Sequence, residues 1–397
     1  MAVTAANSSS AEESFAPEVR RVMPWLILLR LTMNTALRMG YSFFPAFARG
    51  AQISNGGMGA VLAARDLSGL AAPLAGRMAD RRGTGRVLAA AGIGGVVGLI
   101  ISATAPIGLI IGFLIVGFST VALNVATGAW IGHAVAYERR GKATGLVELS
   151  WGGAALLGIP LIGVLIDQAG WRAAPAALAL VGLPASLVMA RLSPSMSAAD
   201  PVESAKPTMN RTAVASLASF ALLIASAQFF FLGHGLWLED TYGLSATGIG
   251  LVVFAGAVME VIATLATTRL TDGLGKQRAI VLGTSLMVLA MVALAIVPAA
   301  PLPIAVFLLA AMFLGFEFAI VSAIPLMSEL DPNARAAMVG RATALSIVGR
   351  ALVSLIAVGI YDRFGFGVLM GIAAAVGVAT LILTMFVAEE PPGSRVS

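Results

Sequence analysis

The sequence predicts an all-α polytopic membrane protein with twelve transmembrane helices arranged in two halves of six. Of its 397 residues, 58% are hydrophobic and only 11% are charged, whereas soluble domains carry about 25% charged residues. So few charges are too few to cover the surface of a globular protein of this size. Long apolar segments also recur along the whole chain, and each approaches the roughly 20 residues that a helix needs to cross a bilayer. Twelve such spans leave no room for a soluble catalytic domain.

Breaks rich in glycine, proline and charged residues separate the apolar segments. They divide the chain into predicted spans at 23–48, 55–77, 87–105, 107–134, 141–166, 172–191, 212–238, 245–269, 279–299, 302–328, 336–361 and 367–388. The polar segments 1–22 and 389–397 are predicted as terminal tails. A proline-containing stretch, 192–211, is predicted as a linker between the six-helix bundles 23–191 and 212–388.

Basic residues are distributed unequally between the two predicted faces. Of the 25 lysines and arginines, 17 fall at the face that carries both tails, and only Arg49, Arg172 and Arg363 fall at the other. Lysine and arginine concentrate in cytoplasmic loops, so we expect both termini in the cytoplasm and the protein in the cell's inner membrane. The same asymmetry accounts for the net charge of +5 without a nucleic-acid partner.

Several chemistries are excluded by composition. The chain has no cysteine, which excludes disulfides, thiolate metal sites and cysteine nucleophiles. His133 and His234 are its only histidines and lie in distant spans, so we expect no metal site. No Walker A pattern and no nucleophile–base arrangement occur, which argues against an ATP-driven pump and against an enzyme. No cofactor is expected.

The chain contains an internal repeat. Segment 76–86 and segment 268–278, displaced by 192 positions, share an arginine, an aspartate, a glycine and a final arginine without gaps. A second register, displaced by 195, aligns Arg140, Gly145, Asp167 and Gly170 with Arg335, Gly340, Asp362 and Gly365. Two halves with equivalent spans are typical of transporters that bind substrate near the midplane between the halves.

The first of these segments, GRMADRRGTGR, closely resembles the loop motif between spans two and three of the major facilitator superfamily. Segment 268–278 resembles its degenerate second copy, and Gly170-Trp171-Arg172 resembles the turn between spans five and six. The resemblance covers all twelve spans and implies a secondary transporter. It also implies a gating loop, in which the Asp80 carboxylate stabilises one conformation through a helix N-terminus or an arginine. The residues assigned to that loop are Gly76, Asp80, Arg81, Gly83, Arg86 and Asp272. A purely topogenic loop is the alternative.

Nine charged residues lie inside the predicted spans: Arg30, Arg38, Arg65, Asp66, Glu148, Glu260, Glu317, Arg341 and Arg350. Charge that faces lipid is costly, so helices that carry interior charge should line a cavity. Spans 3, 6, 9 and 12 carry none and are predicted to be peripheral, as the resemblance also implies. At about 1.5 Å of rise per residue, Arg30 matches Glu148 in depth, Arg38 matches Asp66, and Arg350 matches Glu317.

We therefore expect three buried ion pairs from these matches and a fourth from Glu260 and Arg341, which match less well, with Arg65 left over. Static structural bridges are the alternative to a functional role. Arg30, Asn34 and Arg38 recur at i, i+4 and i+8 and form a polar stripe on span one. The candidate substrate-cavity residues are Arg30, Asn34, Arg38, Arg65, Arg341 and Arg350.

A carrier of protons must be a titratable group whose charge is compensated in one state only. Burial raises the pKa of a carboxylate and a nearby arginine lowers it, so making and breaking such pairs moves a proton. The interior carboxylates are the coupling candidates: Asp66 and Glu148 first, then Glu317, then Glu260.

Segment 158–163 contains two glycines and Pro160 and resembles the fifth-span motif of proton-coupled antiporters in the superfamily. Close packing through small residues is the alternative. The sequence therefore favours proton-coupled efflux of a small organic molecule or drug by a monomer in the lipid bilayer. The rival is a symporter that imports a small organic anion, for which the span arginines would supply charge. A non-transporting receptor or scaffold is the third possibility.

Overall fold

A computed structural model describes residues 15–136, 139–196, 208–331 and 334–386. These residues form twelve helical spans, α1 to α12. Their bounds are α1 Pro17–Ser42 continued by Phe44–Ala51, α2 Asn55–Leu67 and Ala72–Arg82 joined by a 3₁₀ turn, α3 Thr84–Ser102, α4 Pro106–Ala134, α5 Arg140–Gly153 and Ile159–Ala169 joined by a π-helical turn, α6 Ala173–Leu192, α7 Arg211–Tyr242, α8 Ala246–Leu274, α9 Lys276–Ile296, α10 Leu302–Glu329, α11 335–364 and α12 366–385.

The predicted number of spans is confirmed. Within the described ranges, nine helices are long and apolar enough to cross a membrane, and the longest, Ala337–Met385, contains both α11 and α12. Gly365 divides it, because its backbone leaves the helical region at φ 78° and ψ 176°. The remaining two spans are α1, whose interior arginines lower its hydropathy, and α2, whose two segments of 13 and 11 residues are each shorter than a membrane-crossing helix.

The first helix starts earlier than the sequence predicted. It begins at Pro17, inside the segment 1–22 expected to be a polar tail. Proline at the first helical position and Glu18 in the first turn both favour a helix start there. Residues 1–14, residues 197–207 of the linker and the tail 389–397 lie outside the described part of the chain.

Helices α3, α6, α9 and α12 form the periphery, as predicted from their lack of charge. They expose large apolar side chains, and Leu180 on α6 and Ile296 on α9 are more than 70% exposed. The extensive contacts between the two halves are made by α1, α2 and α5 with α7, α8 and α11. This arrangement places every helix with buried interior charge next to the space between the halves.

The two halves touch on one face and separate towards the other. We call the face where α1 begins and α12 ends the tail face, and the face with the α1–α2 and α7–α8 turns the loop face. Near the loop face, a Cβ atom added to Gly59 would lie 2.8 Å from the Ser354 carbonyl oxygen of the other half. Towards the tail face, Gly145 and Gly340 have no neighbouring atom within 4 Å of that position. The structure is therefore closed at the loop face and open at the tail face.

Helix α5 changes its winding near the middle of the membrane. A π-helical turn covers Ala154–Gly158, and Pro160 follows it. Proline cannot donate to the carbonyl of Leu156 four residues earlier, which removes one bond of the regular helix. Single π turns within α-helices are frequent at functional sites. Here the turn separates the open, tail-face part of α5 from the part that contacts the second half.

Candidate functional site

The first of two charge clusters between the halves contains an ion pair that joins α1 to α8. Arg38 donates from Nη2 to Glu260 Oε2 at 2.9 Å and from Nη1 to Glu260 Oε1 at 3.3 Å. Both side chains are buried, with 10% and 5% of their surfaces exposed. The guanidinium also lies 4.1 Å from the ring centroid of Trp151 on α5. Two parallel bonds fix the geometry of a guanidinium and a carboxylate far better than one, so this pair holds the halves in one relative position.

A second carboxylate belongs to the same cluster. Glu317 on α10 is half-buried and accepts a hydrogen bond of 3.3 Å from Thr264 Oγ1, one turn beyond Glu260 on α8. Thr264 Oγ1 also lies 3.0 Å from the backbone carbonyl oxygen of Glu260, so Glu317 lies beside the turn of α8 that carries Glu260. We call Arg38, Glu260 and Glu317 the acidic cluster.

The second cluster, which we call the basic cluster, surrounds Asp66 on α2 and is formed with Tyr41, Arg65 and Arg350. Tyr41 Oη donates to the carboxylate at 2.8 Å, and Arg65 Nη2 lies 3.2 Å from Oδ1. From α11 in the other half, Arg350 Nη2 lies 3.5 Å from the same oxygen and donates to Tyr41 Oη at 2.7 Å. Two guanidinium groups thus share one carboxylate that is only 6% exposed.

Three further contacts extend the basic cluster. Gln228 on α7 donates to Ser354 Oγ on α11 at 3.0 Å and lies 3.5 Å from Asp66 Oδ2. Arg65 donates from Nη1 to the Leu37 carbonyl oxygen at 3.0 Å. The cluster therefore connects α1 and α2 of one half with α7 and α11 of the other.

A third pair lies within the first half. Arg30 Nη2 donates to Glu148 Oε1 at 2.9 Å, which confirms the pairing predicted from depth. The Glu148 side chain is 55% exposed, because this part of α5 borders the open side. One turn along the predicted polar stripe, Asn34 Nδ2 donates to Ser150 Oγ at 3.1 Å.

The other pairings predicted from depth are wrong. Arg38 binds Glu260 and not Asp66, and Asp66 binds Arg65, which was expected to be left over. Depth along a helix gives only the axial coordinate of a residue. Rotation about the helix axis turns Arg38 towards the second half, where Glu260 lies.

The prediction of ion pairs inside the second half, Arg350 with Glu317 and Arg341 with Glu260, is also wrong. Arg350 crosses to Asp66 in the first half, so Glu317 receives a hydroxyl and not a guanidinium. Arg341 is exposed on α11 and does not pair with Glu260. The prediction failed because it assumed that charged helices pair within their own half.

Sequence reasoning did not identify Tyr41, Gln228, Thr264 or Trp151 as site residues. A signal for two of them was present. Tyr41 follows Arg38 by three positions and so continues the polar face of α1. Gln228 carries the one side-chain amide of α7, in the middle of that helix. Thr264 and Trp151 carry no comparable signal, since both residue types are common in apolar helices.

The predicted gating-loop residues lie at the tail face. Gly83 connects α2 to α3 at φ 90°, and Gly275 makes the equivalent connection between α8 and α9 at φ 85°. Asp80, Arg81 and Arg86 are exposed and Gly76 is half-buried. The side chain of Asp272 lies outside what the structure describes. No ion pair of Asp80 is formed within the described residues, and its role in gating stays a prediction.

The described residues contain no group of three or more histidine, aspartate or glutamate side chains able to hold a metal ion. What the two clusters can do chemically is bind ionic groups and exchange protons. By formal charge, the acidic cluster has one excess negative charge and the basic cluster has one excess positive charge. In the basic cluster, the side chain of Arg350 is 33% exposed.

Comparisons with known proteins agree on one family and one fold. The model of the Major Facilitator Superfamily matches residues 26–330 and 217–397. Among solved structures, the chain is similar to a mutant of the peptide transporter POT in complex with alafosfalin, with a TM-score of 0.75 and 12% sequence identity. That alignment covers 93% of this chain and 94% of the transporter. A search of curated proteins found no match.

Proposed function

Since the chain belongs to the major facilitator superfamily, we propose that it exports a small organic molecule or drug in exchange for protons, by alternating access. The observation that carries this proposal is the Arg38–Glu260 pair, which is buried, bidentate and shared between the halves. Arg350 and Asp66 form a second connection between the halves, a single contact of 3.5 Å with Arg350 partly exposed. Both exist in a state that is open only at the tail face.

Opening the loop face requires α1 and α2 to move away from α8 and α11, which separates both pairs. A buried carboxylate that loses its arginine is costly to keep ionised, and protonation removes that cost. Glu260 would therefore take up a proton when the loop face opens, whereas Asp66 keeps Arg65 of its own helix as a partner. Glu260 would release the proton when Arg38 returns in the tail-open state.

Substrate enters the same exchange by competing for the paired groups. A cationic or hydrogen-bond-donating group that binds the Glu260 carboxylate takes the place of Arg38, keeps the carboxylate ionised without a proton and frees the halves to move. Proton and substrate are then alternative partners of the same carboxylate. Exchange of one for the other is antiport, and the π turn and proline of α5, next to Trp151, fit the resemblance to antiporters.

The setting follows from the distribution of charge. We propose that the tail face is cytoplasmic, because it carries 17 of the 25 basic residues, and that the protein works as a monomer in the inner membrane. In this orientation the structure is open to the cytoplasm, from which an exported compound would enter.

A pH gradient across proteoliposomes tests the direction of coupling. A compound that binds the native state raises its thermal stability, so screening in detergent supplies a probe. With the probe on both sides, an acidic exterior should deplete it from the vesicles, because inward protons drive it out. Accumulation inside would show symport and contradict the proposal. No movement in either direction would support a receptor or scaffold.

A further inference from the structure

The loop face is closed by a contact between an aspartate and a helix N-terminus from opposite halves. Asp167 at the end of α5 accepts hydrogen bonds from the backbone N–H groups of Ala246 at 3.1 Å and Thr247 at 2.8 Å. These are the first two residues of α8, a helix of 29 residues. The first N–H groups of a helix have no partner within the helix, and the helix dipole favours a negative charge there.

A sequence repeat marks the same place in both halves. Ser54-x-x-Gly57-x-Gly59 begins α2, and Ser245-x-x-Gly248-x-Gly250 begins α8, displaced by 191 positions. Each serine caps its own helix, through Gly57 N–H at 3.1 Å and Gly248 N–H at 3.4 Å. The aspartates that face these starts, Asp167 and Asp362, are themselves repeat partners. Two of the contacts that close the loop face are therefore related by the repeat.

The two contacts are not equally strong. Asp362 Oδ1 accepts one hydrogen bond of 3.2 Å from the side chain of Asn55, whereas Asp167 accepts two from backbone. Gly163 also lets α5 approach closely, since a Cβ atom there would lie 2.5 Å from the Ala246 carbonyl oxygen. The equivalent position in α11 is Val358, whose side chain lies against Gly59.

We propose that the Asp167 carboxylate, by capping α8 across the interface between the halves, is the main contact that keeps the loop face closed. The Asp362–Asn55 contact is its weaker counterpart. Arg49 and Glu239 add an exposed ion pair across the same face, which contributes less because exposed pairs are solvated. This inference deepens the proposed function, since it names what stabilises one of the two alternating states.

The test measures a distance across the loop face in the absence of substrate and of any pH gradient. The chain has no cysteine, so Thr104→Cys and Ala299→Cys provide two specific sites for spin labels. Both residues are exposed, in loops of opposite halves. Asp167→Asn replaces one of the two accepting oxygens by an amide donor and removes the charge at the helix start, and it should raise the population with a long loop-face distance about fivefold. The matched control, Asp362→Asn, should raise it clearly less.

A second variant removes a donor and leaves the carboxylate in place. Ala246 is the first residue of α8, after Ser245 with extended backbone at ψ 170°, so proline fits there. Ala246→Pro deletes one of the two N–H donors and should shift the distances in the same direction as Asp167→Asn. Thermal unfolding in detergent checks that each variant is folded. If Asp167→Asn does not fold, Ala246→Pro alone tests whether the contact between Asp167 and α8 keeps the loop face closed.

Unchanged distances in the folded variants, or an equal shift for Asp362→Asn, would overturn the proposal. Because the readout is conformational, it is independent of whether the protein exchanges protons. If the protein shows no proton antiport but Asp167→Asn lengthens the loop-face distance as expected, only the proposed function is contradicted.

Discussion

Glu260→Gln is expected to abolish transport driven by a pH gradient while preserving exchange of substrate between the two sides. Glutamine keeps the size of the side chain and a hydrogen bond to Arg38, but it cannot take up or release a proton. The halves would then move without a charge to neutralise, so substrate exchange continues and the gradient no longer drives it. The measurement compares gradient-driven flux with equilibrium exchange of the same probe in proteoliposomes.

Glu148→Gln is the matched control for this variant. Its carboxylate also pairs with an arginine of α1, but both partners lie in the first half and Glu148 is 55% exposed. Its arginine is not drawn away when the halves separate, so we expect gradient-driven flux to fall only modestly. Equal retention of gradient-driven flux in both variants would show that Glu260 does not carry the proton.

Asp66→Asn is expected to destabilise the protein strongly, by about 3–5 kcal/mol, the cost of leaving a buried charge without its partner. Asp66 is the shared anion of Arg65 and Arg350, and the Arg65 side chain is only 1% exposed. Asparagine retains a hydrogen bond with Tyr41 but leaves two guanidinium groups in a poorly solvated site. Unfolding by denaturing detergent measures the loss.

The double variant Asp66→Asn with Arg65→Gln separates this explanation from a packing defect. Removing the buried arginine together with its anion should recover a large part of the lost stability, because two neighbouring charges are then absent together. If the stability lost in the double variant equals the sum of the losses in the two single variants, the charges of Asp66 and Arg65 do not compensate each other.

The fold could be predicted from the sequence because each signal was local. Apolar length gave the spans, the 192-residue displacement gave the two halves, and the absence of charge placed α3, α6, α9 and α12 at the periphery. The Arg30–Glu148 pair was also predicted correctly. Both residues lie on helices that pack directly against each other within one half, where depth alone is sufficient.

The partners of Arg38, Asp66 and Glu260 could not be predicted in the same way. Which residue meets which depends on rotation about each helix axis and on how far the halves have closed. In a transporter the second quantity differs between states, so a single sequence specifies more than one set of partners. Glu317 shows the consequence, since its depth matched Arg350 but this arginine reaches the other half.

The loop-face contacts were visible in the sequence only in part. The alignment of Asp167 with Asp362 was recognised, but the Ser-x-x-Gly-x-Gly repeat has a displacement of 191 and so falls outside both registers. That Asp167 caps a helix of the other half follows from three-dimensional packing, which no local pattern records.

Two distances measured on Glu260→Gln test whether buried ion pairs between the halves stabilise the tail-open state. Thr104→Cys with Ala299→Cys reports the loop face, and Thr144→Cys with Thr343→Cys, also exposed residues of opposite halves, reports the tail face. Relative to the unmodified pair, the loop-face distance should lengthen and the tail-face distance should shorten in the same fraction of molecules. Unchanged distances, or lengthening at both faces, would show that the Arg38–Glu260 pair does not stabilise the tail-open state.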